Sequence, residues 1–274
     1  MLSRNIPMQS YGVRIRSHAE SHIDDVVEQV RNLGYAVLDS GYSQTELTAL
    51  SRAFDEVHAT YLAKHGESKL ISANEHNTIR ALLTQGKNIF LELALSKKLL
   101  QTIEKLISGS FILNQQNGVI NPPKSEYNQG AWHRDLPYQH FVSSSPLAIN
   151  ALFCLDEFTF DNGATYVLPA SHKSEEFPSE AYIKRNAIQV TAKPGAFIIL
   201  DCMLFHSGGY NKTLQSRRAI NHVFNIPYFK QQINLPNNLS MSELSVETMK
   251  ILGFNTMEAQ SVDAYLSERF QKTK

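Results

Sequence analysis

The sequence predicts an α+β fold in which helices precede a β-rich second half. Apolar residues recur at helical spacing through the first hundred residues, and short β-type runs separated by turn residues begin near residue 110. Helical spacing returns near the C-terminus. Because the 274 residues contain no repeat, low-complexity tract or linker, we expect one domain with a helical part of about 1–109, a β core of about 110–230 and a helical part of about 231–274.

Four helices and one strand are predicted in the first part. The first helix ends at Gly34, a good left-handed cap, after apolar residues spaced three or four apart: Ile23, Val26, Val27, Val30 and Leu33. A short strand, 35–39, follows. Ser43 and Glu46 form a capping box for a second helix that ends near Gly66, and helical spacing returns at 88–95 and 97–107.

Short strands dominate the second part. The β-type runs cover 111–117, 147–155, 165–168, 187–192, 196–200 and 219–226. The turns at 161–163 and 193–195 contain the Gly and Pro residues that interrupt strands. Helical patterns at 240–252 and 262–270 are expected to pack back on the sheet. This succession is typical of a β-sandwich flanked by helices.

Composition excludes several classes of function. The 26 basic residues balance 26 acidic residues, so no basic excess points to nucleic acid. The longest apolar runs, 147–155 and 196–205, are too short to cross a membrane. The N-terminal sequence lacks the apolar stretch of a secretory signal, so we expect a cytoplasmic protein. Cys154 and Cys202 lie inside apolar runs, as reduced core thiols do.

Two His-x-Asp pairs differ in their surroundings. His22-Ile23-Asp24 opens the first predicted helix, where a carboxylate stabilises the helix dipole and a solvated face is expected. His133-Arg134-Asp135 follows a predicted strand and precedes a loop, as metal ligands at strand ends do. One more histidine would complete the two-histidine, one-carboxylate set of non-haem iron oxygenases.

The third ligand must come from downstream. The available histidines are His140, His172, His206 and His222. We prefer His206, because it ends the apolar run 196–205 and opens a glycine-rich loop. His140 and His172 lie in predicted loops, and His222 lies in the middle of a strand, where a satisfied core histidine is equally expected.

An anionic cosubstrate at such an iron site would need a fixed cation on a neighbouring strand. Arginine suits this role because its planar fork pairs with a carboxylate. Arg217 and Arg218 begin the last predicted strand, and strand alternation places them on opposite faces. Spacing alone does not choose between them.

Residues 111–230 resemble the phytanoyl-CoA dioxygenase family of Fe(II)/2-oxoglutarate oxygenases. Four segments in the same order carry the resemblance: WHRDLPY at 132–138, DNGATYVLPASHK at 161–173, KPGAFIILD at 193–201 and HSGGYNKTLQSRRA at 206–219. INPP at 120–123 is also similar. The resemblance implies a double-stranded β-helix, the jelly-roll core also found in cupins.

The resemblance also implies roles for six residues. His133, Asp135 and His206 would bind Fe(II), and Arg217 would bind the far carboxylate of 2-oxoglutarate. Thr165 and Gln129 would be further contacts to this cosubstrate. The implied reaction uses O2 to hydroxylate an unactivated C–H bond of a small molecule, with release of succinate and CO2. Leu152 and Gly208 stand where the phytanoyl-CoA enzyme has Trp and Ser. The resemblance therefore does not imply that this protein acts on phytanoyl-CoA.

Other outcomes remain open in the sequence. A polar substrate is suggested by candidate lining residues that are mostly amides: Tyr138, Gln116, Asn114, Asn150 and Asn221. Asp135 argues against a halogenase, whereas desaturation, epoxidation and ring formation stay possible. Arg134 is expected to be a surface or salt-bridging residue, and Trp132 is expected in the core. The alternatives from other classes are a catalytically silent metal-binding jelly roll and a cupin-like enzyme that does not use 2-oxoglutarate.

Overall fold

The first helix and strand lie where the sequence predicts them in the computed structural model, which describes residues 6–135 and 142–271. Helix α1 (His22–Leu33) begins at a capping box of Ser21 and Asp24 and ends at Gly34, whose φ is 84°. This left-handed conformation favours glycine. Asp24 therefore caps a helix, so the His22-Ile23-Asp24 motif has the structural role at a helix start that the sequence predicts. Strand β1 (Tyr35–Asp39) follows directly.

Seven further helices are assigned in the described residues. Their bounds are α2 (Gln44–His65), α3 (Glu67–Ser72), α4 (Asn88–Ala94), α5 (Lys97–Leu106), α6 (Glu180–Asn186), α7 (Val246–Ile251) and α8 (Val262–Gln271). Helix α2 begins at the predicted Ser43–Glu46 capping box. Sequence periodicity missed α3 and α6, which are too short to show a helical repeat. None of the described helices is long and apolar enough to cross a membrane.

Two antiparallel sheets face one another. The remaining strands are β2 (Thr78–Ile79), β3 (Ile112–Asn121), β4 (Ala148–Cys154), β5 (Tyr166–Val167), β6 (Ile188–Gln189), β7 (Ala196–Asp201), β8 (His206–Ser207) and β9 (Arg217–Asn225). The larger sheet has the order β1-β7-β4-β9-β3-β2, and the smaller sheet has the order β6-β5-β8. The fold is therefore the mixed α+β architecture with antiparallel sheets that the sequence predicts.

Both edge strands of the large sheet come from the helical first part of the chain. Strand β1 pairs with β7, and β2 pairs with β3. The helices cover the outer face of this sheet with a continuous apolar core that includes Phe54, Phe90 and Phe197. A second apolar cluster, which includes Phe158 and Leu200, lies on the inner face. The helical layer and the β core thus share one packed interior.

The apolar run 196–205 is not one strand, and this corrects the expectation that His206 ends it. Strand β7 stops at Asp201, whose Oδ1 accepts a hydrogen bond from the backbone N–H of Met203 at 2.9 Å. The chain turns there and crosses to the small sheet, where His206 begins β8. Both sides of the turn are buried, so hydrophobicity alone could not reveal it.

His222 lies on the outer face of β9 as a satisfied core histidine. Its ring is fully buried, Nδ1 donates to the carbonyl of Ala151 at 3.0 Å, and Nε2 lies 2.9 Å from the amide nitrogen of Gln116. Burial lowers the pKa of His222 from its ordinary value of 6.5 to about 4. The folded protein therefore keeps this imidazole neutral where the unfolded chain would protonate it.

Acid should consequently destabilise the protein through His222. As pH falls from about 6.5 to about 4, the unfolded chain gains a proton that the folded chain cannot take, so stability is lost across this window. The loss at the acidic end should be about 3 kcal/mol. Urea unfolding at pH 7 and pH 4.5 should show a smaller acid effect in His222→Gln than in the wild type. The exposed His18→Gln is the control; an unchanged acid effect in His222→Gln would contradict the assignment.

Candidate functional site

Backbone pairing holds the two histidines of the site side by side. The N–H of His133 donates to the carbonyl of His206 at 2.9 Å, and the N–H of His206 donates back at 3.1 Å. The N–H of Asp135 donates to the carbonyl of Cys202 at 3.0 Å. The loop after β3 is therefore fastened to the segment around β8, and residues more than 70 positions apart are brought to one point.

The two imidazoles are oriented by their own loops. Nδ1 of His133 donates to the carbonyl of Ala131 at 2.8 Å, and Nδ1 of His206 donates to the carbonyl of Leu204 at 3.0 Å. Since a carbonyl only accepts, the proton sits on Nδ1 and Nε2 is left as an electron-pair donor. Burial, with the neighbouring His206, also lowers the pKa of His133. Both rings are thus prepared to bind a metal through Nε2.

Asp135 completes the cluster. Its Oδ1 lies 3.6 Å from Nε2 of His206 and 3.9 Å from Nε2 of His133. Its other oxygen, Oδ2, accepts a hydrogen bond from the amide of Asn150 at 2.8 Å. This bond orients the carboxylate and leaves Oδ1 facing the two histidines. Asn150, expected to line a substrate pocket, is found to hold the acid as well.

The three ligand atoms fit a metal ion. They all lie within 4.8 Å of one another. Among the described residues, these three side chains form a group of His, Cys, Asp or Glu close enough to share a metal ion. Two imidazoles and one carboxylate on one side of a cavity are the donor set of a non-haem Fe(II) site. The hydrogen bonds at both Nδ1 atoms and at Oδ2 supply the outer support that such a site requires.

Arg217 is a buried cation with no anionic partner among the described residues. It lies on β9, is 3% exposed and stacks on the ring of Phe158 at 3.8 Å. Its Nε and Nη1 atoms have no hydrogen-bond partner among the described residues, and Nη2 lies 3.5 Å from the hydroxyl of Tyr127. Burial lowers the pKa of Arg217. An unpaired guanidinium at this depth is expected to be matched by an anionic ligand.

Arg218 faces the opposite side of the strand. It pairs with Asp156 at 2.7 Å and with Asp55 at 2.7 Å on the outer surface. The structure therefore resolves the choice that spacing left open, because only Arg217 points between the sheets.

A cavity of about 440 Å³, including its open mouth, joins these groups. Thr165 and Gln129, both predicted site residues, line it together with the triad and Arg217. The remaining lining residues are Val119, Tyr127, Asn150, Leu152, Leu200, Gly208, Ala219 and Asn221. All six predicted site residues thus meet in one cavity.

Several other predicted contacts lie elsewhere. Gln116 points to the helical layer and donates to the carbonyl of Phe90 at 2.6 Å, and Asn114 donates to the carbonyl of Lys230 at 2.8 Å. Strand alternation places Gln116 on the face of the sheet that packs against the helices, away from the cavity. A register irregularity in β3 between Leu113 and Gln115 made this orientation hard to predict. Tyr138 and His140 lie outside the described residues.

Arg134 is buried, so the first of the two expectations for it, a position at the surface, is wrong. It is 3% exposed, its guanidinium lies 3.9 Å from the ring centroid of Phe205, and it donates to the carbonyls of Ser171 and Ser174. These hydrogen bonds attach Arg134 to the loop that contains His172. Trp132 is half-buried, with ring centroids 6.5 Å from Tyr166 and 6.4 Å from Phe177.

Tyr127 is a polar cavity residue that sequence reasoning missed. It precedes the short 3-10 turn Asn128–Gly130 and enters the cavity beside Gly208. No periodic pattern marks it, because it lies in an irregular loop. The departure at Gly208 was the available signal, since an absent side chain leaves room for a neighbour.

Comparison with known proteins identifies relatives over most of the chain. The family model of phytanoyl-CoA dioxygenase (PhyH) matches residues 30–219. An uncharacterized protein of Mycobacterium tuberculosis is 29% identical, over 92% of this chain and 94% of its own. The dioxygenase olcK of Penicillium canescens is 26% identical, over 85% of this chain and 81% of its own.

A solved structure shares the fold. The crystal structure of EctD from Sphingopyxis alaskensis, with 2-oxoglutarate and 5-hydroxyectoine, superposes with a TM-score of 0.62 at 23% sequence identity. The match covers 74% of this chain and 75% of that one. The likeness is one of overall fold, a mixed helical architecture with antiparallel sheets.

Proposed function

The chain belongs to the phytanoyl-CoA dioxygenase family, and on that premise we propose that it hydroxylates an unactivated C–H bond of a small polar molecule. It is a non-haem dioxygenase that depends on Fe(II) and 2-oxoglutarate and uses O2. The observation that carries the proposal is the pairing of a convergent His133–Asp135–His206 triad with a buried Arg217 that has no anionic partner in the described part of the chain, across one cavity.

We assign the metal to the triad. His133 and His206 would bind Fe(II) through their Nε2 atoms and Asp135 through Oδ1. A two-histidine, one-carboxylate set occupies one side of the ion and leaves positions open for cosubstrate and O2. The support for this assignment is the hydrogen bonding described above, which fixes each donor atom toward the shared point.

Arg217 is assigned to the far carboxylate of 2-oxoglutarate. Its free Nε and Nη1 atoms supply donors to an anion, and burial strengthens that interaction by excluding water. Thr165, which is 4% exposed, and Gln129 are proposed as further contacts to this cosubstrate. When bound, iron, 2-oxoglutarate and O2 supply the oxidising power that hydroxylates the substrate, with release of succinate and CO2.

The protein's own contribution is orientation and exclusion of water. The cavity walls beside the triad include the apolar side chains of Val119, Leu152 and Leu200. These walls shield the reacting centre from side reactions with solvent, and they limit which C–H bond of the substrate can approach it.

A small polar substrate is supported by the amides that line the cavity. Oδ1 of Asn150 is buried and has no hydrogen-bond partner among the described residues, so it can accept from a substrate N–H or O–H. Asn221 lines the same cavity. EctD, described with 5-hydroxyectoine, is a structural neighbour, consistent with small-molecule chemistry.

The architecture proposed for this enzyme is a single jelly-roll domain of the double-stranded β-helix type. One support is the pair of antiparallel sheets. The other is that the first 109 residues supply both edge strands of the large sheet and pack into the same apolar core as the other strands, so the parts of the chain have no separate cores. The cytoplasm is the proposed compartment, supported by two buried free thiols, Cys154 and Cys202.

Anaerobic titration of iron-loaded protein with 2-oxoglutarate tests this function. The wild type should develop a visible metal-to-ligand charge-transfer band that saturates at one cosubstrate per iron. Absence of the band in folded, iron-loaded protein would overturn the proposal in favour of a silent metal-binding jelly roll or an enzyme that does not use 2-oxoglutarate.

A further inference from the structure

Tyr127 occupies space that exists because residue 208 is glycine. A Cβ atom at Gly208 would lie 1.9 Å from the Tyr127 hydroxyl oxygen and 2.7 Å from ring atom Cζ. The two segments are also tied by backbone, because the N–H of Gly208 donates to the carbonyl of Gln129 at 2.7 Å. The tyrosine side chain therefore passes directly over Gly208 into the cavity, and a larger residue at position 208 would block it.

The Tyr127 hydroxyl has an unused proton beside Arg217. Arg217 Nη2 lies 3.5 Å from this oxygen, and in that contact the guanidinium donates and the hydroxyl accepts. Among the described residues the hydroxyl donates to no acceptor, although it lines the cavity with Arg217. Burial raises the pKa of Tyr127, so the hydroxyl is protonated at neutral pH.

The charge balance of the cavity calls for an acceptor at this point. Asp135 is the one carboxylate that lines the cavity within the described part of the chain, and it faces the histidines. Asp156, whose charge also acts on Arg217, is engaged by Arg218 instead. Arg217 and Tyr127 thus present adjacent donors with no resident anion.

We propose that the Tyr127 hydroxyl is a second donor to the far carboxylate of 2-oxoglutarate, and that Gly208 is required because it makes room for this hydroxyl. The inference rests on the proposed function, since it concerns the same cosubstrate. It adds a tyrosine and a glycine to the binding site, and it explains why the chain has no side chain at position 208.

Anaerobic titration of the iron-loaded protein with 2-oxoglutarate should show the contribution of the hydroxyl. Tyr127→Phe keeps the ring and loses only the donor, so the dissociation constant should rise roughly ten- to a hundredfold, as for loss of a hydrogen bond to a charged group. The same variant should bind 2-oxopentanoate, which lacks the far carboxylate, with unchanged affinity. Equal affinity of wild type and Tyr127→Phe for 2-oxoglutarate would overturn the inference.

Two further experiments distinguish direct binding of 2-oxoglutarate by Tyr127 from an indirect role in which Tyr127 only positions Arg217. In an Arg217→Met background, Tyr127→Phe should still weaken 2-oxoglutarate binding, whereas a residue that acts only through Arg217 would lose its effect there. Gly208→Ala should weaken binding in the wild type and add little in Tyr127→Ala, which removes the ring atoms that the new Cβ atom would meet. An additive effect of the two substitutions would contradict the pairing of Gly208 with the hydroxyl.

Failure of this inference is distinct from failure of the proposed function. If the wild type shows no charge-transfer band, the 2-oxoglutarate assignment itself is wrong. If the wild type shows the band and the tyrosine and glycine variants match its affinity, the oxygenase assignment stands and Tyr127 is not a cosubstrate contact.

Discussion

Replacing His206 with alanine should abolish iron binding and 2-oxoglutarate-dependent turnover, the largest effect we expect from a single substitution. His206 offers one of three convergent donor atoms, and its backbone pairs with that of His133. Loss of an outer-shell partner already costs about 10–100-fold in metal affinity or activity. Loss of a ligand should therefore exceed that range. Iron content after dialysis, with succinate release as a second readout, measures the effect.

The other His-x-Asp pair provides the matched control. His22 is exposed at the start of α1, and His22→Ala should retain wild-type iron content and turnover. Circular dichroism should show that both variants are folded. A folded His206→Ala protein with wild-type iron affinity would disprove the ligand assignment.

Arg217→Met should weaken 2-oxoglutarate binding and stabilise the ligand-free protein. Truncating one partner of a buried charge pair costs roughly 2–5 kcal/mol, so affinity should fall about thirtyfold to a few thousandfold. Without ligand, however, Arg217 is a buried cation that no anionic side chain of residues 6–135 or 142–271 pairs with, and methionine fills similar space without charge. The melting temperature of the ligand-free variant should therefore rise. Calorimetric titration and thermal unfolding measure the two effects.

Arg218→Met is expected to behave in the opposite way. Arg218 pairs with Asp55 and Asp156 on the outer face, and these carboxylates raise the pKa of its guanidinium. Its loss should lower the melting temperature slightly and leave 2-oxoglutarate affinity unchanged. Weaker binding in Arg218→Met, with unchanged binding in Arg217→Met, would reverse the assignment of the two arginines.

Local signals in the sequence predicted the elements whose determinants are local. Helix α1 ends at the predicted Gly34, and α2 begins at the predicted Ser43–Glu46 capping box, because capping and left-handed geometry depend on neighbouring residues. Strand β4 and the His133-Arg134-Asp135 motif were found for the same reason. The family resemblance then supplied His206 and Arg217, and the structure brings both to the cavity.

Long-range pairing explains what the sequence could not predict. β1 and β2 become sheet edges by pairing with strands far along the chain, and the run 196–205 divides between two sheets. Gln116 and Asn114 were misplaced because alternation through an irregular strand does not show which face meets the cavity.

The sequence by itself determined the fold class, the capped end of α1, the capped start of α2 and the types of residue that could bind iron and an anion. The tertiary structure decided which arginine faces inward, that Asn150 orients Asp135, and that Tyr127 fills the space over Gly208. Propensity and periodicity act over a few residues, whereas the direction of a side chain in a β-sandwich depends on strands brought together from distant parts of the chain.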